Sequence, residues 1–267
     1  ALATALATAL AAMPAAAAPA PVPALPAPTP PPAALLAQLD AAIAEQRLDS
    51  ARELLGRSWG RHAGLELDLR AAELALASGS LAEAADAFTQ LAGQTEAGQA
   101  EGGQAEAVSA LQARARLGLG LSRLRQNRNG DAVTALDAAI AADPGLARAW
   151  GARAIAADRL QDWDRADQCY ARALAITPDA PDILSNRGYS LLLRGRYQAA
   201  EIDLARALAL APKLTVARTN LSLARAMQGR YEEAFKGASR ETLAADLNTV
   251  GFAAMSRGDD KVAEAYF

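Results

Sequence analysis

Small and apolar residues recur along this chain with a period of about 34 residues, the length of one pair of helices in a helical repeat. The clearest markers are Pro144, Pro178 and Pro212, which are equally spaced at this period. Between successive prolines, apolar residues fall at helical spacing in two stretches that a short turn separates. The spacing therefore indicates a repeat architecture in which each unit is one helix pair.

Three consecutive units carry the same residue types at the same positions. In the unit 181–214, Gly188 and Ala200 are the small residues and Leu204 is the large one. Small residues on facing sides of antiparallel helices let the helix axes approach closely, and large residues fill the grooves. A proline then ends the second helix, since it lacks an amide hydrogen. The equivalent residues are Trp150, Ala154, Ala166, Tyr170, Ala173 and Pro178 in the unit from 147, and Gly120, Ala132, Leu136, Ala139 and Pro144 in the unit from 113.

Weaker copies of the pattern flank these three units. Gly229 and Gly258 mark two copies after them, and Gly79 and Gln46 mark two before them. Because the interval from Gly229 to Gly258 is shorter than the period, the second helix around 235–240 is expected to be short or distorted. The chain is therefore predicted to be all-α, a right-handed superhelical solenoid of about seven antiparallel helix pairs.

The pattern divides the chain into four parts. Prolines recur from Pro14 to Pro32 and no charged residue precedes Asp40, so we interpret 1–31 as a signal-peptide remnant or an Ala/Pro-rich disordered linker. A stretch rich in Gly, Gln and Glu follows the second unit and favours an irregular join. The remaining parts are degenerate N-terminal hairpins at 32–98, the irregular join at 99–112 and a regular array at 113–267 whose last repeat is truncated.

Composition and charge argue against several functions. Hydrophobic residues make up 52% of the chain but aromatic residues only 4%, which is typical of alanine- and leucine-rich helices packed closely together. The net charge of −3 provides no basic excess for a phosphate backbone, so no nucleic-acid partner is expected. Cys169 and His62 are the single cysteine and histidine, too few for a disulfide or a Cys/His metal cluster. We therefore expect a non-enzymatic protein without cofactors or metals.

A cluster of three carboxylates could suggest a cation site. Asp162, Asp164 and Asp167 lie within six residues, close to the predicted start of a second helix. Aspartate is favoured where helices begin, because its side chain accepts hydrogen bonds from free backbone N–H groups. We therefore interpret the cluster as a helix start.

The candidate binding surface is the concave wall that the first helices of successive pairs form in such an array. This wall is predicted to change from an arginine-rich end to an apolar end with asparagines. Asparagine amides can both donate to and accept from a peptide backbone, and aromatic and methionine side chains offer adaptable pockets. Alternatively, the asparagines only satisfy neighbouring helices and the arginines form a solvated face. The arginine-rich end contains Arg114, Leu117, Leu121, Arg125, Arg148, Ile155 and Arg159, and the apolar end contains Asn186, Tyr189, Leu192, Asn220, Leu223, Met227, Asn248, Phe252 and Met255.

The repeats from Ala113 onward resemble the tetratricopeptide repeat family. The C-terminal half, with the runs LSNRGYSLLLRGRYQAAEIDLARALALAP, VARTNLSLARAMQGRYEEA and LNTVGFAAMSRGDDKVAEAYF, is similar to the tetratricopeptide proteins of the Tad/Flp pilus assembly system. These proteins share a short irregular unit between two regular hairpins and an Asn-containing first helix before a Gly-Phe or Gly-Tyr pair. Members often carry a lipidated cysteine after the signal peptide, whereas no cysteine precedes Cys169 here.

That resemblance implies an exported accessory factor that helps the pilus secretin assemble. Its expected partner is the secretin or another pilus component, bound as a peptide segment in the groove. The expected location is the periplasm or the periphery of the outer membrane, with the cytoplasm as the alternative.

Two other functions fit a tetratricopeptide array. A cytoplasmic co-chaperone that grips a C-terminal carboxylate would need lysines on the concave wall. The chain has only Lys213, Lys236 and Lys261, which argues against it. The chain could also be the recognition array of a larger enzyme, with a catalytic domain beyond Phe267.

Overall fold

The computed structural model describes residues 29–97, 103–235 and 243–266, and within these ranges the regular secondary structure is entirely helical. The prediction of an all-α chain is confirmed. The helices are α1 Ala33–Ala44, α2 Leu48–Ser58, α3 Leu65–Ser78, α4 Leu81–Ala97, α5 Gly103–Arg125, α6 Asn129–Ala142, α7 Ala147–Arg159, α8 Trp163–Ile176, α9 Pro181–Leu193, α10 Tyr197–Leu210, α11 Thr215–Ala226, α12 Tyr231–Ala234, α13 Leu243–Arg257 and α14 Asp260–Tyr266.

Consecutive helices pack as antiparallel hairpins, and the hairpins stack into a right-handed superhelical solenoid, as predicted. The described residues contain seven hairpins, from α1/α2 to α13/α14. Each first helix from α3 to α13 also contacts the first helix before it. Helices α6, α8 and α10 each end two residues before the periodic prolines, so the repeat period sets the helix ends.

A residue with left-handed backbone lies in the turn of every described hairpin. This conformation reverses the chain within a few residues, and glycine adopts it without a steric penalty from a Cβ atom. Three of the seven turns use another residue type, with φ near +60°. The turn residues are Gln46, Gly79, Asn127, Gln161, Gly195, Gly229 and Gly258.

Replacing Gln161 with glycine should raise the free energy of unfolding by about 0.5–1 kcal/mol, because the strain of left-handed glutamine is removed. Gln161 is exposed and has a φ of 59°, so few other contacts change. Urea unfolding measures the effect. The control is Gln168→Gly in the middle of α8, which should cost about 1 kcal/mol. A loss of stability in both variants would contradict the turn assignment.

The core consists of small residues of first helices packed against large residues of second helices. Leu136, Leu204 and Tyr170 are fully buried. A Cβ atom added to Gly120 would lie 2.5 Å from Cγ of Leu136, and one added to Gly188 would lie 2.6 Å from Cγ of Leu204. These two glycines therefore set the close approach of α5 to α6 and of α9 to α10.

The prediction of an irregular join at 99–112 is wrong for residues 103–112, which are helical; residues 98–102 lie outside the described ranges. Helix α5 has 23 residues, whereas the first helix α7 has 13. This stretch contains no proline, and its alanine, glutamate and glutamine residues favour helix strongly enough to outweigh its glycines. The glycines of this stretch therefore do not end the helix.

Two other expectations concern the ends of the array. Helix α12 has four residues, which agrees with the short second helix that the interval between Gly229 and Gly258 predicts; residues 236–240 of the region expected to be short or distorted lie outside the described residues. The signal-peptide or linker interpretation concerns residues 1–31. Residues 1–28 lie outside the described residues, and only 29–31 are described. At that stretch, the backbone N–H of Thr29 donates to the carbonyl of Arg61 at 3.0 Å and the N–H of Ala63 donates to the carbonyl of Thr29 at 3.0 Å.

Candidate functional site

Each first helix has one residue that lies six positions before the left-handed turn residue of its hairpin. Together these residues form a stripe along the inner face of the solenoid. In the first two hairpins the position is acidic, and in the other five it is apolar. Tyr189 is 48% exposed and Phe252 is 55% exposed, so the apolar part of the stripe includes two accessible aromatic rings. The seven residues are Asp40, Glu73, Leu121, Ile155, Tyr189, Leu223 and Phe252.

The last three hairpins carry an uncharged surface around this stripe, which we call the C-terminal wall. Most of its residues were predicted from the sequence. Leu193, which is 54% exposed, was missed, although it lies one full repeat after Arg159 and the period could have found it. The C-terminal wall comprises Asn186, Tyr189, Leu193, Asn220, Leu223, Met227, Asn248, Phe252 and Met255.

The asparagines add polar groups to the C-terminal wall. The side chains of Asn186, Asn220 and Asn248 make no hydrogen bond to any residue in the described ranges. Asn186 and Asn220 each lie three residues before a stripe residue, so amide and apolar side chain share one helix face. Each of these two helices therefore presents a hydrogen-bonding group beside an apolar one.

The prediction that Leu192 belongs to the binding surface is wrong. Leu192 is only 7% exposed and belongs to the apolar cluster of Leu184 and Leu204. Its side chain therefore packs against the neighbouring helices instead of facing the groove. Leu223 and Met227 are half-buried and offer only part of their surface.

Several arginines of the inner face join successive hairpins. Nη1 of Arg125 donates to the carbonyl of Leu76, and Nη1 of Arg159 donates to the carbonyl of Leu124. Arg257 repeats the contact, with Nη1 2.9 Å from the carbonyl oxygen of Met227. These carbonyls lie at the C-terminal ends of first helices, where the last backbone carbonyls can accept a further hydrogen bond and positive charge is favourable. The predicted sites Arg125 and Arg159 therefore have a structural role.

The other two arginines of the predicted groove differ from each other. Nη2 of Arg114 lies 3.0 and 3.2 Å from the two carboxylate oxygens of Glu73 and so links α5 to α3. Arg148 is exposed and forms no ion pair with a described residue. Arg148 is therefore the arginine of this set whose guanidinium is available to a ligand.

A cleft of about 660 Å³ lies along the first helices of the N-terminal half. Its floor is apolar, and its rim carries both signs of charge. Because Asp40 pairs with Arg70 and Glu73 with Arg114, much of this charge is already neutralised within the chain. The cleft is lined by Asp40, Ile43, Ala44, Gln46, Glu73, Leu76, Ala77, Phe88, Arg114, Leu117, Gly118, Leu121, Leu146, Arg148 and Asp182.

A buried polar network holds the helix that carries Tyr189. Asp158 of α7 accepts hydrogen bonds from Oη of Tyr170 at 2.9 Å and from Oγ of Ser190 at 2.6 Å. Burial raises the pKa of the Asp158 carboxyl, and these hydrogen bonds oppose the shift. Because Ser190 adjoins Tyr189, the network fixes α9 against the preceding hairpin.

The aspartates that suggested a cation site have structural partners. Asp162 accepts a hydrogen bond from the backbone N–H of Arg165 at 3.2 Å, which caps α8 as interpreted from the sequence. Asp167 receives two hydrogen bonds from Arg194, of 2.9 and 2.7 Å, and these lower the pKa of its carboxyl. Two of the three carboxylates are thus engaged in helix capping and hairpin pairing.

Other candidate chemistry is sparse. Cys169 is buried, and this burial raises the pKa of its thiol. His62 shares a hydrogen bond of 3.1 Å with Oγ1 of Thr29. In the part of the chain that the structure describes, no three His, Cys, Asp or Glu side chains are grouped so that they could hold a metal ion. No helix there has the length and apolar character to cross a membrane.

Solved structures show where this architecture occurs. A thermophilic tetratricopeptide protein of Thermus thermophilus, TTC0263, is 23% identical, with a TM-score of 0.57 over 72% of this chain and 97% of its own. A chain of the APC/C hetero-tetramer Cut9–Hcn1 is 14% identical, with a TM-score of 0.69 over 88% of this chain but 45% of its own. PilF of Pseudomonas aeruginosa is 24% identical, with a TM-score of 0.49 over 58% of this chain and 72% of its own. At these identities the first two likenesses show the fold alone.

Sequence comparison identifies the family. No curated protein sequence matches the chain significantly. The model of the tetratricopeptide repeat family matches residues 69–147 and 152–214, which together make up more than half of the chain. This protein therefore belongs to the tetratricopeptide repeat family.

Proposed function

We propose that the chain is a non-enzymatic scaffold whose C-terminal wall binds a segment of a partner protein. The observation that supports this most is the combination, on successive first helices, of exposed or half-buried apolar side chains with asparagine amides that have no bonded partner in the described ranges. Buried apolar area supplies most of the free energy of such binding, and amides reading a peptide backbone fix the orientation. Because the wall residues are uncharged, binding should depend only mildly on salt.

The partner that we propose is a component of a Tad/Flp type IV pilus, in particular its outer-membrane secretin. The support is the resemblance of the C-terminal half to the tetratricopeptide proteins of that system. The same half contains the wall with Tyr189 and Phe252. On this proposal the protein acts in the periplasm or at the periphery of the outer membrane as an assembly factor.

A co-chaperone clamp for a C-terminal carboxylate is less well supported. Such a clamp needs cationic side chains that converge on the groove. Lys213 lies in the connection between α10 and α11 and Lys261 lies on α14, so neither belongs to the C-terminal wall. Arg125 and Arg159 are already bonded to backbone carbonyls.

Affinity capture tests the proposed partner. The full chain is immobilised and exposed to detergent extracts of the cell envelope, and bound proteins are identified by mass spectrometry. We expect the pilus secretin or another pilus component to be enriched over a matched resin that carries Tyr189→Ala/Phe252→Ala. Equal capture by both resins would contradict the role of the wall, and the absence of any pilus component would contradict the proposed partner.

A further inference from the structure

We infer that the segment bound by the C-terminal wall is an uncharged, proline-rich segment of the partner in the polyproline II conformation. This inference rests on the proposed function of the wall and adds the chemistry of the ligand. It follows from the spacing of the stripe, the asparagine amides and the lack of charge on the wall.

The spacing expected for the stripe is that of polyproline II. Helices α9, α11 and α13 are in contact in that order and contribute Tyr189, Leu223 and Phe252, one from each. Packed helices lie about 8–10 Å apart, so we expect the stripe to repeat at about that distance. A polyproline II helix advances about 9 Å in each turn of three residues and so presents every third side chain to the same surface. A β-strand repeats its face at about 7 Å and one turn of α-helix rises about 5.4 Å, and both fit less well.

A bound α-helix with an apolar residue at every seventh position would also place apolar side chains about 10 Å apart. The asparagine amides distinguish polyproline II from such a helix. The backbone groups of an α-helix are bonded to each other, whereas those of polyproline II are free for external partners. Proline has a carbonyl acceptor but no N–H donor, and an asparagine amide can donate to that carbonyl. Asn186 and Asn220, with no bonded partner among the described residues, are placed to do so beside Tyr189 and Leu223.

The electrostatics of the wall favour an uncharged ligand. Its nine residues carry no charge, and three of the four arginines on the same helices are paired with carboxylates within the chain, while the fourth, Arg218, is half-buried. Arg187 pairs with Asp203, and Arg225 pairs with Glu201. A charged side chain brought against this surface would lose hydration without gaining an ion pair, which is costly. Proline, alanine and leucine side chains incur no such cost, and aromatic rings favour proline-rich ligands in other grooves.

Fluorescence anisotropy with labelled peptides and the full chain tests the inference. The probe is a peptide of about twelve residues built from Leu-Pro-Pro repeats, which places a leucine at every third position over four turns. The matched control peptide has the same composition with irregularly spaced leucines. We expect the periodic peptide to bind about tenfold more tightly than the irregular one, with little change between low and physiological salt.

Two variants locate the bound peptide. Tyr189→Ala/Phe252→Ala should weaken binding of the periodic peptide at least about tenfold. Ile202→Ala, which removes a side chain that is 70% exposed on the second helix α10, should leave it unchanged. The double variant must keep the melting temperature of the parent protein.

Three results would overturn the inference. The first is equal affinity for both peptides, and the second is tighter binding of a helical peptide with leucines at every seventh position. The third is self-association of the chain that the Tyr189→Ala/Phe252→Ala variant abolishes. If wall-dependent partner capture persists in any of these cases, the proposed function stands and only the polyproline II ligand is wrong. If partner capture is also independent of the wall, the proposed function itself fails.

Discussion

Replacing Gly188 with alanine should lower the free energy of unfolding by about 1–3 kcal/mol, because the added methyl group overpacks the interface of α9 and α10. Its Cβ would lie 2.6 Å from Cγ and 2.9 Å from Cδ2 of Leu204, which is fully buried and has little room to move. Urea unfolding followed by circular dichroism measures the change.

The control for this prediction is Gly56→Ala in α2, where nothing lies within 4 Å of the added Cβ atom. Here the higher helix propensity of alanine should raise stability by up to about 1 kcal/mol. In the double variant Gly188→Ala/Leu204→Ala the losses should be less than additive, since the shorter side chain relieves the clash. Equal effects of alanine at Gly188 and Gly56 would refute the assigned packing.

Replacing Phe88 with alanine should have a larger effect, a loss of about 3–5 kcal/mol. The ring of Phe88 is fully buried and packs against Gly118, where an added Cβ atom would lie 2.3 Å from the ring. This contact joins the second hairpin to the third across the break in the repeat period. The cavity that the missing ring leaves should therefore uncouple the two parts of the chain, so that the N-terminal hairpins unfold separately from the regular array.

Differential scanning calorimetry distinguishes the outcomes. The parent protein should unfold over a broad but continuous transition, since neighbouring repeats are coupled, and Phe88→Ala should split it in two. The control is Phe252→Ala, which removes the same side chain from a position that is 55% exposed and should change stability little. Comparable losses from both variants, or an unsplit transition for Phe88→Ala, would contradict a continuous core across the break.

The sequence predicts the repeat architecture well because the packing constraints are local to each unit. Gly188, Leu204 and Pro212 each occupy the same place in their unit as their counterparts one period earlier, so the spacing alone locates helices, turns and core. The left-handed turn at Gln46 shows how strong the constraint is, because the hairpin forms without the usual glycine.

Features that depend on contacts between units were not predictable in the same way. The bonds of Arg125 and Arg159 to carbonyls of the preceding hairpin arise from stacking geometry, which has no local sequence signal. Leu192 was misplaced because a shift of one residue moves a side chain by about 100° around a helix. Helix α5 begins at Gly103, within a glycine-containing stretch that is typical of a loop, because that stretch contains no proline to interrupt the helix.

The central claim is that partner binding resides on the C-terminal wall and not at the arginine-rich end. It is tested by measuring the affinity of the captured partner for two variants that circular dichroism shows to be folded at the temperature of the measurement. One variant is Asn186→Ala/Tyr189→Ala/Asn220→Ala. The other is Arg125→Met/Arg148→Met/Arg159→Met, which keeps the apolar stems of the side chains but removes their charge. We predict that binding is lost in the first variant and retained in the second; retention in the first with loss in the second would contradict the claim.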